Sequence, residues 1–238
     1  MTTPRQHLAD IFVELAGGTP DMPLDPAVLL AALAAHSSEL VGARACGVLC
    51  DLPGAESGEV YASEAGAKEL LLDAHKRGQG PGPHCRETGK PVPRTDLRSP
   101  IARHRWPHYV PRALALGYTE VAARPLRGRE QAIGALVLFG SEEAPLTDEA
   151  LVFGQSLADI VAIALLRELE LSRSRTLADQ LEHALTSRLI IEQAKGVLAA
   201  QQSLAMDESF AILRGHARAR QRKLTEVARE VVEGRLVL

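Results

Sequence analysis

Residues 189–198 read LIIEQAKGVL, a stretch with the apolar spacing of a helix that nevertheless contains a glycine. At about 100° per residue, its apolar side chains share one arc of that helix. They are Ile190, Ile191, Ala194, Val197 and Leu198. Gly196 lies outside the arc and is predicted to point away from the core. Because a glycine inside a helix costs about 1 kcal/mol relative to alanine, it indicates tolerated weakness, a nearby helix end, or a surface that a partner approaches closely.

Two more helical patterns follow this one. After SRLIIEQAKGVLAAQ (187–201) come DESFAILRGHARARQ (207–221) and LTEVAREVVEG (224–234). Apolar residues three and four positions apart are typical of a helix that buries one face. The sets are Ile190/Ala194/Val197, Phe210/Leu213/Ala217 and Val227/Ala228/Val231. We predict that the three helices pack into a small bundle.

Charge is distributed unevenly along the 238 residues. Residues 1–169 hold 16 Lys and Arg against 21 Asp and Glu, a net of −5, whereas residues 170–238 hold 11 against 9, a net of +2. Within the second part, RGHARARQRK (214–223) contains five cations and no acid. Since exposed lysines and arginines are ordinary on protein surfaces, these cations form either a solvated face or a contact for an anionic partner.

Residues 175–235 closely resemble the ANTAR family, the small helical RNA-binding domain of bacterial transcription antiterminators. The matching residues are Arg188, Ile191, Glu192, Gln193, Ala194, Lys195, Gly196, Val197, Leu198, Phe210, Leu213, Arg214, Ala217, Lys223, Leu224, Val227, Ala228, Val231 and Val232. Two positions depart from the family. Ala205 stands where a polar capping residue is usual, and Ser209 stands where alanine is usual.

The resemblance implies an RNA contact surface on these helices. Arg188 and Lys195 are seven residues apart and about 20° out of line on a helix, so they form a polar strip with Glu192 and Gly196. A glycine there lets a phosphate or a loop base come close, and Lys195 can neutralise the phosphate. The predicted RNA-binding residues are Arg188, Glu192, Gln193, Lys195, Gly196, Arg214, Arg218, Arg222 and Lys223.

The family also implies the partner, because paired ANTAR domains hold paired stem-loops in nascent RNA and prevent a terminator hairpin from forming. We therefore expect RNA stem-loops as partners and a homodimer. Against an RNA role, residues 170–238 contain a single aromatic, Phe210, which is predicted to be in the core. Because no stacking platform is present, recognition depends on phosphate contacts, arginine planes and stem-loop shape.

A helix is predicted before this bundle, from a cap at Thr147 to about Leu171. Beyond it, ELELSRSRTLADQLEHAL (168–185) has helical composition, with leucines at 169, 171, 177, 181 and 185. Residues 172–176 interrupt the apolar seam, so the pattern predicts a short helical dimer linker rather than a long coiled coil.

The first part of the chain has a mixed pattern. Asp25-Pro26 starts a helix that ends at Gly42. Strands are predicted at 43–50 and 58–63, with a helix at 67–77 and a strand hairpin formed by 119–126 and 131–140. The stretches 78–93 and 98–111 are rich in glycine or proline and are predicted to be irregular.

This order of elements resembles a GAF domain over about residues 25–168. GPHCRETGKPVPRTDL, the RWPHY stretch and VAARPLRGREQAIGALVLFG are similar to the form common in actinobacterial sensors. The resemblance implies a central antiparallel sheet with flanking helices and a small-molecule pocket or dimer surface under the irregular loops. It names no ligand, because this fold binds many.

The fold class predicted is α+β: an N-terminal GAF domain, an antiparallel sheet with flanking helices, joined by a helical linker to a C-terminal all-α three-helix ANTAR bundle. The predicted divisions are an N-terminal extension (1–24), the GAF sensor (25–168), the linker (169–184) and the ANTAR domain (185–238). We expect a cytoplasmic antiterminator that senses a small molecule, with no signal peptide and no membrane span.

Two other functions are considered. One is a signalling adaptor whose ANTAR bundle contacts protein. The other is a thiol redox enzyme that uses Cys85, which would need a depressed thiol pKa to be reactive. Cys46, Cys50 and Cys85 are expected to be reduced, and their spacing does not match a zinc site. No catalytic residue, metal or cofactor is predicted beyond the unidentified GAF ligand.

Overall fold

The computed structural model describes residues 4–17, 24–52 and 58–238. The chain divides into two compact units, Met1–Leu169 and Glu170–Leu238, which we call the first and second units. The helices are α1 (Pro4–Leu15), α2 (Pro26–Val41), α3 (Ala65–Arg77), α4 (Pro81–Thr88), α5 (Pro100–Arg105), α6 (Tyr109–Ala115), α7 (Asp148–Gln202), α8 (Met206–Ala219) and α9 (Leu224–Val232). The strands are β1 (Ala45–Cys50), β2 (Glu59–Ala62), β3 (Val92–Asp96), β4 (Glu120–Leu126) and β5 (Gly134–Gly140).

Among the described residues, the first unit is organised by a five-stranded sheet in the order β2-β1-β5-β4-β3. All neighbouring strands are antiparallel. Every residue of β1 and β5 is buried, because helices cover both faces of the sheet. These strands therefore read as continuous apolar runs rather than as an alternation of apolar and polar residues.

One face of the sheet is covered by α1, α2 and the beginning of α7. Their shared core includes Leu33, Leu138 and Val161, all fully buried. The predicted limits of α2 are confirmed: the Asp25 side chain accepts a hydrogen bond from the Ala27 N–H at 2.9 Å, and Gly42 ends the helix with a φ of 69°. These caps satisfy backbone groups that the helix itself leaves unpaired.

The other face is covered by α3, α4, α5 and α6. A second core lies beneath them, with Leu71, Trp106 and Phe139 among its members. The backbone of α4 rests directly on the sheet, because a Cβ at Gly82 would lie 2.3 Å from Leu49 Cδ2 and 3.0 Å from Val137 Cγ2. Only glycine allows this close approach.

The two stretches predicted to be irregular contain helices, so that prediction is wrong. Residues 78–93 include α4 and the start of β3, and residues 98–111 include α5 and the first part of α6. Pro81 and Pro100 each lie in the first turn of a helix, a position where a missing N–H costs nothing. The prolines and glycines mark where these helices begin and end, which the pattern alone did not distinguish from loop composition.

The predicted N-terminal extension contributes to the fold. Helix α1 places Ile11 and Leu15 in the first core, where they are 2% and 0% exposed. No helix was expected there. The remaining part of residues 1–24, namely 1–3 and 18–23, lies outside the described residues.

Helix α7 does not end near Leu171 as predicted but continues to Gln202. Residues 172–176 stay helical, and the Thr176 hydroxyl donates a hydrogen bond to the Ser172 carbonyl at 3.0 Å. This bond satisfies a polar side chain within the helix itself. The residues predicted as a linker are therefore part of one helix, and residues 170–186 are exposed throughout.

The second unit is a small helical bundle, as predicted. The end of α7 packs with α8 and α9 around a core whose buried members are Ala194, Leu198, Leu213, Ala217, Val227, Ala228 and Val231. Phe210 was predicted to lie in this core, but it is only partly buried and is not one of the side chains that form the core. The bundle rests on far fewer buried side chains than the first unit.

The apolar composition of α7 is relevant to the expectation that the chain has no membrane span. This helix contains an 18-residue window apolar enough to cross a membrane by length and composition, and half of that window is buried within the protein. A helix packed into a protein core passes the same test, so the feature is weak evidence for a membrane segment.

Candidate nucleic-acid interface

The polar strip predicted on α7 is exposed in part. Arg188, Glu192 and Gln193 are exposed on the part of the helix that belongs to the second unit. Gly196 lies well inside the helix, which continues to Gln202, so a nearby helix end does not explain the glycine. A Cβ at Gly196 would meet nothing within 4 Å. Packing therefore does not require glycine here, which leaves tolerance or close approach by a partner.

Lys195 is more enclosed than the sequence suggests. Only 14% of its side chain is exposed. Its ammonium group lies 3.0 and 2.9 Å from the two carboxylate oxygens of Glu192 and 5.6 Å from the ring centre of Phe210 on α8. Cation–π contacts and carboxylate pairing both stabilise an ammonium group. Lys195 thus ties the strip on α7 to α8, and a phosphate would have to share it with Glu192.

Two arginines on α8 are free. Arg214 and Arg218 are four residues apart, which places them on one side of the helix, away from the buried Leu213 and Ala217. Both are exposed, and neither makes an ion pair within the described residues. Their guanidinium groups are available to a phosphate without breaking an internal contact.

The turn between α8 and α9 separates two other predicted residues. Gln221 adopts a φ of 52°, and Arg222 then turns inward to hold Glu230 with bonds of 2.9 and 2.6 Å. This guanidinium lowers the pKa of the Glu230 carboxyl. Lys223 precedes α9 as its N-terminal cap residue and is exposed, with no ion pair in the described part of the chain.

The predicted site residues therefore fall into three groups. Glu192, Lys195 and Arg222 are engaged in ion pairs within the second unit. The unpaired cations, which we call the free cation set, are Arg188, Arg214, Arg218 and Lys223. Gln193 and Gly196 are uncharged positions beside Arg188 and Lys195 on α7.

Sequence reasoning missed one candidate. Arg229 on α9 is exposed and has no ion pair among the described residues. The signal was available, because Val227, Ala228 and Val231 define the buried side of α9 and leave residue 229 on the outside.

Ala205, at the start of α8, has no polar side chain to cap the helix, and this lack is partly compensated. The Ala205 N–H donates to the Glu208 carboxylate at 3.0 Å, which is one of the two bonds of a capping box. The start of α8 keeps that bond although alanine cannot supply the other one. Ser209 is buried, and its hydroxyl donates to the Ala205 carbonyl at 3.1 Å.

The structure removes the basis for a thiol enzyme at Cys85. This residue is fully buried in the second core, and burial raises the pKa of its thiol to about 12. A reactive cysteine needs the opposite shift, because the thiolate is the nucleophile. Cys46 and Cys50 are buried too, and burial raises the pKa of Cys50 to about 12.

His84, beside Cys85, also lacks the features of a metal ligand. Its ring nitrogen Nε2 lies 2.5 Å from an Arg105 nitrogen, and burial together with this arginine lowers the pKa of His84. Among the residues that the structure describes, no group of three or more His, Cys, Asp or Glu side chains is placed to hold a metal ion.

A helix-covered antiparallel sheet, followed by a small bundle with unpaired cations, defines a protein of the sensor-and-output class. The chain belongs to the GAF domain family, whose model matches residues 23–166, and it carries an ANTAR domain at residues 179–232. Both are regulatory domains: GAF domains bind small molecules and ANTAR domains bind RNA. A search of curated proteins finds no match.

The chain is similar to solved structures, of which the first below shares its fold. A methyl-accepting chemotaxis protein, residues 122–287, is 17% identical with a TM-score of 0.50, covering 68% of this chain and 98% of that one. The second GAF domain of DevS from Mycobacterium smegmatis is 22% identical with a TM-score of 0.43, covering 64% and 99%. At these identities the likeness concerns the fold only.

Proposed function

We propose that this protein is a cytoplasmic, homodimeric antiterminator whose GAF domain senses a small molecule and whose paired ANTAR domains bind stem-loops in nascent RNA. The proposal keeps residues 25–168 as the sensor, 169–184 as the linker and 185–238 as the RNA-binding domain. Ligand binding regulates RNA binding only if the ligand has different affinities for two arrangements of the protein.

The observation that carries the RNA proposal is the free cation set. Within the described residues, none of Arg188, Arg214, Arg218 and Lys223 forms an ion pair with a carboxylate. Phosphate groups are the partners that dominate protein–nucleic acid affinity, and arginine binds them through two parallel hydrogen bonds. Lys195 and Gly196 lie beside Arg188 on α7, where an incoming phosphate would compete with Glu192 for the ammonium group.

The exposed part of α7 supports the homodimer. Leu177, Leu181, Leu185 and Leu189 recur every four residues and are 56%, 57%, 70% and 59% exposed. We call them the leucine stripe. Four exposed leucines on one side of a helix are a surface that another helix covers. A second copy of α7 supplies one, and two copies bring two RNA-binding surfaces together with a gain in avidity.

The test of RNA binding is a salt titration with a transcript that carries two adjacent stem-loops. The full chain is compared with Arg214→Ala and Arg218→Ala. Affinity should fall steeply with salt, and each lost phosphate contact should reduce the slope of log affinity against log salt by about 0.7 to 0.9.

Arg173→Ala is the matched control, because Arg173 is also exposed and unpaired within the described residues of α7 but lies outside the predicted site. Its slope should equal that of the unaltered chain. If charge reversal at Arg214 and Arg218 leaves RNA affinity unchanged, the RNA proposal is wrong and the adaptor hypothesis takes its place. Leu181→Asp tests the dimer separately: at high salt, light scattering should report loss of the dimer that forms through the leucine stripe.

A further inference from the structure

A groove runs across the first unit between the end of α2 and the beginning of α7. Its volume is about 780 Å³. We call it the acidic groove and define it by six of its lining residues: Glu39, Leu40, Asp148, Glu149, Val152 and Phe153. Val152 is 70% exposed. A groove with apolar walls open to solvent is the kind of surface that a partner covers.

Three carboxylates that have no ion-pair partner among the described residues border this groove. Glu39, Asp148 and Glu149 are exposed, and none of them makes an ion pair within the part of the chain that the structure describes. Asp148 and Glu149 stabilise the start of α7 through the helix dipole. Glu39 lies in the last turn of α2, where a negative charge opposes the dipole and no basic residue compensates it. Helix stability therefore does not account for Glu39, and the groove matches a partner that is both cationic and apolar.

The first unit itself carries a surface of that chemistry on α5. Ile101 is 78% exposed. Arg103 and His104 beside it are also exposed, and Arg103 has no carboxylate partner among the described residues. We call these three residues the α5 ridge. Residues 98–112 contain four arginines and no acid, so the surroundings of the ridge are basic in a unit whose net charge is negative.

The groove and the ridge belong to opposite faces of the sheet. Helices α2 and α7 pack on the first core with Val48 and Leu138. Helix α5 packs on the second core through Ala102, with Val137 and Phe139 of the sheet in the same core. Because alternate residues of a strand point to opposite faces, the sheet separates the two surfaces. A single first unit cannot cover its own groove with its own ridge.

We propose that the acidic groove of one copy binds the α5 ridge of a second copy of this chain. Ile101 enters the apolar part of the groove beside Val152, and Arg103 pairs with the carboxylates at its border. The contact is heterologous, since the two copies use different surfaces. Such contacts continue into open assemblies or rings, so the first units associate head to tail. Their ionic part weakens as salt screens it.

This contact is independent of RNA binding and of the leucine stripe on α7. Sedimentation velocity of the full chain over a concentration series, at low and high salt, measures it. In the Leu181→Asp background, which removes association through the leucine stripe, low salt should still give species larger than a monomer. Those species should be lost in Ile101→Asp and in Val152→Asp, and reduced at high salt.

A charge exchange gives the sharpest test. In the Leu181→Asp background, Arg103→Glu and Glu149→Arg should each abolish the association. Mixing these two variants should restore it, because both contacts between unlike copies then have complementary charges. Val28→Asp is the matched control. Val28 is also on α2 and is 59% exposed but lies outside the groove lining, so its association should be unchanged.

Circular dichroism of each variant excludes misfolding as the cause of a loss. The proposal is overturned if the Leu181→Asp chain stays monomeric at all concentrations. It is equally overturned if Ile101→Asp and Val28→Asp associate alike, or if the mixture of charge variants fails to reassociate.

Discussion

Arginine is used differently in the two units of this protein. In the described part of the first unit, the arginines that contact carboxylates include Arg44, Arg77, Arg86, Arg98, Arg112 and Arg127. In the second unit, Arg188, Arg214, Arg218 and Arg229 are exposed without such partners among the described residues. Charge pairing, in addition to net charge, therefore distinguishes these arginines of the two units.

The difference teaches how to locate an interface in a chain whose net charge is close to neutral. The first unit has more cations than the second, 16 against 11, yet many of them hold acids of the same unit. A cation already paired gains less from a phosphate, because the pair must first be broken. The unpaired set is where an external anion gains the full interaction.

The units also differ in how much core supports them. The largest expected effect is at Leu213, which is fully buried in the small core of the second unit. Leu213→Ala should destabilise that unit by about 2 to 5 kcal/mol. Because a few buried side chains hold the bundle, this loss should unfold α8 and α9 while the first unit stays folded.

Two probes separate the units in a urea titration. Circular dichroism reports helix content, and Trp106, the single tryptophan of the chain, is buried in the first unit. Leu213→Ala should shift the helical signal and leave the tryptophan transition in place. Leu71→Ala, its counterpart in the second core of the first unit, should shift the tryptophan transition. If Leu213→Ala moves both signals together, the two units unfold as one.

Two glycines compare the units at a smaller scale. At Gly82 in α4, an added methyl group would collide with Leu49, which is itself fully buried. Gly82→Ala should therefore destabilise the first unit by about 1 to 3 kcal/mol, the usual cost of overpacking. The Trp106 fluorescence transition measures this loss. An unchanged transition would mean that α4 moves away from the sheet at little cost.

Gly196 should behave in the opposite way. A Cβ there meets open space, so Gly196→Ala should stabilise the second unit by up to about 1 kcal/mol, as seen by circular dichroism in urea. Gly215 in α8 is the matched control, since its Cβ would also meet nothing within 4 Å. If the stabilised Gly196→Ala protein loses RNA affinity and Gly215→Ala does not, a partner needs close approach at residue 196. If neither loses affinity, the glycine is merely tolerated.

The sequence predicted those elements whose signals are local. Asp25 and Gly42 mark the ends of α2 through capping chemistry, and the apolar run of β5 reflects burial on both sides. Prediction from the sequence failed where the same residue types occur both in loops and in helices. Pro81 and Gly89 enclose a short helix instead of a loop. The polar residues 172–176 stay helical within α7, where the Thr176 hydroxyl donates to the Ser172 carbonyl.

The candidate site was also predictable only in part, because local sequence patterns report exposure but not contacts between helices. Helical periodicity placed Arg188, Arg214 and Arg218 on exposed faces, as the structure does. Periodicity carries no information on pairing between helices. The contacts of Lys195 with Phe210, and of Arg222 with Glu230, depend on how α7, α8 and α9 pack, so the sequence overstated how free these two cations are.

The smallest expected effect concerns the ion pair between Arg222 and Glu230. Arg222 holds the pKa of Glu230 below its usual value. Ionisation of the Glu230 carboxyl is therefore more favourable in the folded second unit than in the unfolded chain. The resulting stability is complete above the ordinary glutamate pKa of about 4.3 and is lost as the pH falls through the lower folded value. The stability difference between the unaltered chain and Glu230→Gln should therefore be small and constant near neutrality and vanish in acid.

Thermal unfolding of the second unit as a function of pH measures this difference. Glu226→Gln is the control, because Glu226 lies on the same helix and is exposed with no ion pair among the described residues. A difference for Glu230→Gln that persists in acid would show that the side chain acts through packing and not through its charge. The charge of the Arg222–Glu230 pair would then contribute no stability. Arg222 would have to be counted with the unpaired cations of the second unit.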